Sequence, residues 1–110
     1  MDVSIVIPVF NEVESLPALV SSLCRTMNAA PYSYEIIFID DGSTDGTTDL
    51  LRHTANENSN AKVLFFSRNF GHQAAITAGL DFASGKAVAV MDADLQDPPE
   101  SIRTASTLHP

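Results

Sequence analysis

The chain has 110 residues, 45% hydrophobic and 18% charged, with 14 acidic against 6 basic side chains for a net charge of −8 and one cysteine, Cys24. That composition suits a single small folded domain with its own core and excludes a disordered chain, an internal disulfide and a nucleic-acid backbone as partner, which would call for a basic patch. A nucleotide stays open, because one bound metal reverses the field of an acidic site.

No apolar run approaches the ~20 residues of a membrane span. The opening Met1-Asp2-Val3-Ser4 lacks the basic start of a signal peptide. A soluble chain facing the cytoplasm is therefore expected. Val3 to Phe10, Val-Ser-Ile-Val-Ile-Pro-Val-Phe, reads as a buried strand. A helix is expected to open at Glu14 or Ser15, with Pro17 in the first turn, where proline is tolerated. Leu16, Leu19, Val20, Leu23 and Met27 recur at helical spacing as its apolar stripe, and Pro31 closes it. Cys24 lies within that helix and reads as a small packing residue. Tyr34 to Ile39 is the second strand. Thr44 or Asp45 caps a second helix that carries Leu50 and Leu51 and fades near Asn56-Glu57-Asn58. Ala61 to Phe66 is the third strand. Gly71 to Ala83 is a third helix, expected to pack through Ala75, Ala78, Gly79 and Phe82, and Lys86 to Met91 is the fourth strand.

Continuous apolar strands alternating with helices imply a mainly parallel sheet covered on both faces. This is a Rossmann-like α/β three-layer sandwich of about four strands and three or more helices. In such sheets ligands bind beyond the carboxyl ends of the strands. The polar clusters of this chain fall there: Asn11-Glu12 after the first strand, Asp40-Asp41-Gly42-Ser43 after the second, Ser67-Arg68-Asn69 after the third, and Asp92-Ala93-Asp94 after the fourth.

The last cluster is the most informative. Two carboxylates two residues apart in extended backbone point to the same side and repel unless a cation lies between them. Hard divalent cations take such oxygen ligands and are often shared with substrate phosphates. Taken alone, the pair would equally suit an Asp-rich turn. Leu95-Gln96-Asp97-Pro98-Pro99-Glu100 follows and adds an amide and further carboxylates.

The turn after the first strand, Pro8-Val9-Phe10-Asn11-Glu12, has no glycine, so a dinucleotide fingerprint is absent. A phosphate loop and a G-x-S-x-G nucleophile elbow are absent too. Asp40 and Asp41 are adjacent and so point to opposite sides. One can hold the loop while the other accepts the ring N–H of uracil or guanine. Arg68 and His72 flank Gly71 at the start of the third helix, where an anion such as a diphosphate is favoured. The alternative for Arg68 is a salt bridge to one of the rim carboxylates.

Four segments resemble the family-2 glycosyltransferases of the GT-A fold: Ser4-Ile5-Val6-Ile7-Pro8-Val9-Phe10-Asn11-Glu12, Ile39-Asp40-Asp41-Gly42-Ser43-Thr44-Asp45, Ser67-Arg68-Asn69-Phe70-Gly71-His72, and Met91-Asp92-Ala93-Asp94-Leu95-Gln96-Asp97-Pro98-Pro99-Glu100. Within that family the likeness is to polyprenyl-phosphate glycosyltransferases, and it runs from Val3 to about Ile102. The resemblance implies metal-dependent transfer of a sugar from a UDP- or GDP-sugar to a polyprenyl-phosphate lipid on the cytoplasmic side of the plasma membrane. It implies that Pro8, Phe10, Asn11 and Glu12 line the nucleoside pocket, that Asp41 contacts the base with Asp40 beside it, and that Asp92, Asp94 and Gln96 surround Mg²⁺ or Mn²⁺. Arg68 and Gly71 would lie near the diphosphate and sugar.

Members of the family continue well past D-P-P-E, so residues 1–110 are expected to be the donor-binding half of a GT-A domain, truncated at its carboxyl end. A non-catalytic nucleotide- or metal-binding remnant is the alternative. The family's strand order, 3-2-1-4, would leave the fourth strand as an apolar edge that invites self-association.

Overall fold

A computed structural model describes residues 1–93. Its elements in chain order are β1 (Val3–Val9), α1 (Leu16–Asn28), β2 (Tyr34–Asp40), α2 (Thr47–Glu57), β3 (Ala61–Phe65), α3 (His72–Phe82) and β4 (Ala87–Val90). The four strands form one parallel sheet in the order β3-β2-β1-β4. Val3 pairs with Tyr34 on one side and with Ala87 on the other, so the first strand is central and β4 is an outer strand among the described residues.

Alternation along the central strands assigns the two faces. Val3, Ile5, Ile7 and Val9 of β1, with Ile36 and Phe38 of β2, pack against Leu16, Leu19, Leu23 and Met27 of α1 and Leu51 of α2. Val6, Ile37 and Ile39 turn the other way and pack against Ala75 of α3. Right-handed crossovers explain the split. The chain steps outward from β1 to β2 to β3, then returns across the sheet to β4, and the return crossover must lie on the opposite face.

The helices begin where local chemistry lets them. The Ser15 hydroxyl makes no cap bond and donates instead to Glu12 Oε2 at 2.7 Å, while proline occupies the first turn of α1. Asp45 does take the Thr47 amide at 3.0 Å, but Gly46 at φ 98° intervenes, so α2 opens at Thr47, after the expected Thr44 or Asp45 boundary.

In α3 the small residues at 75 and 79 let the helix lie on the sheet. A Cβ on Gly79 would stand 2.7 Å from Ile39 Cδ1 and closer still to Val6 Cγ1. Ala78 is half-buried, but Phe82, expected in that contact, is 47% exposed. Beneath the last turn of α3 the sheet offers a polar group in place of apolar side chains, and the Lys62 ammonium stands 6.0 Å from the Phe82 ring centre.

That polar group ties the amino ends of the strands together. Glu35 is buried at the start of β2. Its Oε2 accepts the Ser4 hydroxyl at 2.6 Å and both the amide and hydroxyl of Ser84 at 2.8 Å, and its Oε1 accepts Lys62 Nζ at 2.6 Å. The Gly85 amide donates to Ser4 Oγ at 2.7 Å. Burial opposes ionisation of Glu35, yet the bonds from Lys62, Ser4 and Ser84 outweigh it and pull the carboxyl from 4.5 down to about 2.

Three outcomes follow for stability. The unfolded chain takes up the Glu35 proton near pH 4.5 and the folded chain only near 2, so this contribution is full above 4.5 and is lost as the pH falls toward 2. It amounts to on the order of 3 kcal/mol, and thermal melts of the wild-type chain across that window check it. Glu35→Gln turns an acceptor into a donor facing Ser4 and Ser84, and should lower stability at neutral pH by about 2–3 kcal/mol and flatten the acid dependence. Gly79→Ala should cost about 1–2 kcal/mol by overpacking, despite the better helix propensity of alanine, as read by urea denaturation.

Candidate active site

The carboxyl ends of the strands surround a cavity of about 470 Å³, lined among the described residues by Pro8, Val9, Phe10, Glu12, Asp41, Asn69, Gly71, His72, Asp92 and Ala93. Small-molecule sites typically run from roughly 300 to 1,000 Å³. The cavity opens between β1 and β4, where the strand order reverses, which is the place ligands take in open parallel sheets.

The loops after the first three strands are tied to one another. Asn11 lies in the left-handed region at φ 52°. Its amide donates to Ser43 Oγ at 3.0 Å and its Oδ1 accepts the Thr44 amide at 2.8 Å. The Glu12 amide donates to Thr47 Oγ1 at 3.0 Å and the Val13 amide to Asp45 Oδ2 at 3.4 Å. The Thr47 hydroxyl, chiefly, also holds the Asp45 carboxyl below its ordinary value. The β1 loop is therefore stitched along its length to the loop between β2 and α2.

The two adjacent aspartates both hold loops, and they hold different ones. Asp40, buried, accepts the Ser43 amide at 3.0 Å and the Thr48 hydroxyl, closing its own turn. Asp41, also buried, accepts the amide of Phe70 at 2.7 Å and of Gly71 at 3.1 Å from the loop before α3. Unlike Asp40, Asp41 also lines the cavity, and its oxygens keep lone pairs for a further donor.

The expected residues are thus brought together unevenly. Pro8, Phe10, Glu12, Asp41, Gly71 and Asp92 line one cavity. Asn11 and Asp40 stand outside that lining and shape the loops. Arg68 is outside it too: its guanidinium lies 4.6 Å over the Phe70 ring, and no rim carboxylate pairs with it among the described residues. His72, expected beside Gly71 at the start of the third helix, and Asn69, from the polar cluster after the third strand, line the cavity too. Asp94 and Gln96 lie outside the described residues.

Asp92 differs from the other rim carboxylates. Its side chain is 53% exposed at the end of β4, and among the described residues it meets His72, with Nε2 3.9 Å from Oδ1. Among the described residues no three His, Cys, Asp or Glu side chains converge into a metal cage. One open carboxylate among oxygen donors nevertheless fits Mg²⁺ or Mn²⁺, which bind through one or two carboxylates and keep sites for water and phosphate oxygens.

The strained Asn11 gives a sharp comparison. Asn11→Ala loses the Thr44 bond and keeps the unfavourable φ, so it should destabilise by about 2 kcal/mol. Asn11→Gly loses the same bond without that strain and should cost about half as much in the same denaturant titration.

The model of the family described as glycosyl transferase family 2 matches residues 4–105. An Aeromonas hydrophila protein named undecaprenyl-phosphate 4-deoxy-4-formamido-L-arabinose transferase is 50% identical over 101 residues, covering 91% of this chain and 31% of the relative. A Bacillus subtilis (strain 168) protein named as an uncharacterised glycosyltransferase, YkcC, is 48% identical over 99 residues, covering 90% of this chain and 31% of the relative. The chain therefore spans about a third of the length of the curated relatives it matches. Among solved structures, S. aureus TarS 1–349 in complex with UDP-GlcNAc superposes with a TM-score of 0.77 at 25% identity over 97% of this chain and 30% of that one. The mannosyltransferase PcManGT of Pyrobaculum calidifontis, in complex with GDP-Man and Mn²⁺, shares the fold with a TM-score of 0.70 at 23% identity, over 97% of this chain and 31% of that one. The chain belongs to glycosyl transferase family 2, and its Rossmann-like sheet is that of the GT-A fold.

Proposed function

We propose that residues 1–110 form the donor-binding part of an enzyme that moves a sugar from a UDP- or GDP-sugar to a polyprenyl phosphate at the cytoplasmic face of a membrane. The observation that carries this reading is the cavity at the β1/β4 reversal, which combines an apolar wall, a buried acceptor and one open carboxylate. The names of the relatives support a lipid-phosphate acceptor, and the TarS and PcManGT complexes support a nucleotide-sugar donor.

The chain's own groups divide the work. Pro8, Val9 and the exposed Phe10 ring give a base an apolar surface. The free lone pairs of Asp41 accept the ring N–H that uracil and guanine both present. Glu12 lies on the same wall, and Asn11 and Asp40 hold that wall in shape. Asp92, with Asp94 and Gln96 following it in sequence, would hold Mg²⁺ or Mn²⁺ shared with the diphosphate. When bound, the metal offsets the negative charge that grows on the departing nucleoside diphosphate. Arg68 and the start of α3 with Gly71 lie on the side where that diphosphate would rest. An acceptor phosphate is already ionised at neutral pH, so it needs less help from a general base than a hydroxyl would.

Titration calorimetry of the 110-residue chain with UDP and with GDP, each in Mn²⁺ and in chelator, tests the reading. One nucleotide should bind with Mn²⁺ and fail with chelator. Asp92→Asn should weaken the metal-dependent binding by about tenfold or more. Binding that ignores the metal, or that survives Asp92→Asn unchanged, would remove Asp92 from the donor site.

A further inference from the structure

We propose that Asp41 and Gly42 act together as a clamp that sets the Arg68–Gly71 segment, so that a residue at the nucleoside end of the cavity also positions its diphosphate end. This rests on the donor-site reading above. Asp41 is then a positioning residue as well as a wall of the pocket.

Two independent observations meet at this point. The Asp41 carboxylate is only 4% exposed as a residue, and its two oxygens take two consecutive backbone amides, Phe70 at 2.7 Å and Gly71 at 3.1 Å. One residue on, Gly42 adopts φ +77° and lets the backbones touch. A Cβ there would stand 2.5 Å from the Asn69 amide nitrogen and closer still to the Arg68 carbonyl carbon. The loop is thus fixed from β2 by a charge-assisted pair of bonds and by direct backbone contact.

What the clamp fixes is the part of the rim that faces Asp92. Asn69, Gly71 and His72 line the cavity opposite the β1 wall, and His72 reaches to 3.9 Å from Asp92. Phe70 is held at its amide by Asp41, by a T-shaped contact with Phe66 whose centroid lies 5.4 Å away, and by the Arg68 guanidinium over its ring. A change at Asp41 therefore moves Arg68 and His72, which a residue that only reads the base would leave in place.

Asp41→Asn keeps the shape but turns one oxygen into an N–H group that confronts an amide N–H, so at most one of the two bonds survives. Two measurements on the wild-type chain, Asp41→Asn and Gly42→Ala decide the matter. The first is amide hydrogen exchange, which needs no ligand. Asp41→Asn should speed exchange at Phe70 and Gly71 by about tenfold, the scale of one lost charge-assisted bond, while the β1 amides stay protected. The second is binding of Mn²⁺-pyrophosphate, which carries no base. Both variants should weaken it several-fold, and Gly42→Ala should do so with the carboxylate intact.

Unchanged exchange at Phe70 and Gly71 in Asp41→Asn overturns the clamp. So does pyrophosphate binding that stays at the wild-type level while uridine and guanosine binding falls, which would leave Asp41 as a base ligand alone. Should the wild-type chain bind neither nucleotide nor pyrophosphate, the donor-site reading fails, and the exchange rates still decide whether the clamp exists.

Discussion

The site depends on one reversal in strand order. Parallel strands joined by right-handed crossovers must keep their helices on one face while the chain advances in one direction. They must change face when it turns back. Here β1 to β2 to β3 advances and β4 returns to the free side of β1. The helices that follow β1 and β3 consequently lie on opposite faces, and a crevice opens beyond the ends of β1 and β4. Phe10 and Glu12 reach it from one side and Asp92 from the other, with the start of α3 closing the far wall. The chemistry of the rim is an elaboration of that reversal.

Composition alone would assign the rim carboxylates of an acidic chain to cations. Among the described residues most of them serve instead as acceptors for loop donors, in their own turn or in the next loop. Asp40 takes Ser43, Asp41 takes Phe70 and Gly71, Asp45 takes Val13 and Thr47, and Glu12 takes the Ser15 hydroxyl. Loops without regular structure need partners for their backbone amides, and a carboxylate offers several acceptor positions at one point. Ordering by internal acceptors leaves Asp92, among the described residues, as the rim carboxylate open to the cavity. A cluster of acidic residues in sequence thus resolves into scaffold and ligand positions only in three dimensions.

Much of the architecture was readable from the chain. The continuous apolar run from Val3 to Phe10, the apolar spacing of Leu16 to Met27, and the polar clusters after each strand specify the elements, their order and the polar rim. The element ends were less legible. Gly46 and Gly71 carry positive φ values, and α2 opens at Thr47, past Thr44 and Asp45, while α3 opens at His72, one residue past the expected Gly71. Phe82 was placed in the core because it shares a stripe with Ala75 and Gly79. Nothing in its own segment revealed that Glu35 and Lys62, distant in sequence, make the ground beneath it polar. The partition of roles among Asn11, Asp40, Asp41 and Arg68 was illegible for the same reason: it depends on which loop each side chain meets across the sheet, and spacing within one loop does not encode that.

The central position of the first strand has a consequence for how the polypeptide is made. β1 is completed on one side by β2 soon after it leaves the ribosome, but its other side waits for β4, and Ser4 meets Gly85 across a separation of 81 residues. At about 5–20 residues per second this is an interval of about 4–16 s. During it the nascent sheet presents the ladder groups of its central strand, Val-Ser-Ile-Val-Ile-Pro-Val, to the surroundings. Pro8 lacks an amide hydrogen and cannot donate to an intruding strand. Its place near the end of β1, two residues beyond the last pairing with β4, leaves it clear of the native ladder on that side. The residue that helps wall the cavity in the finished protein thereby also blunts the exposed edge while translation is under way.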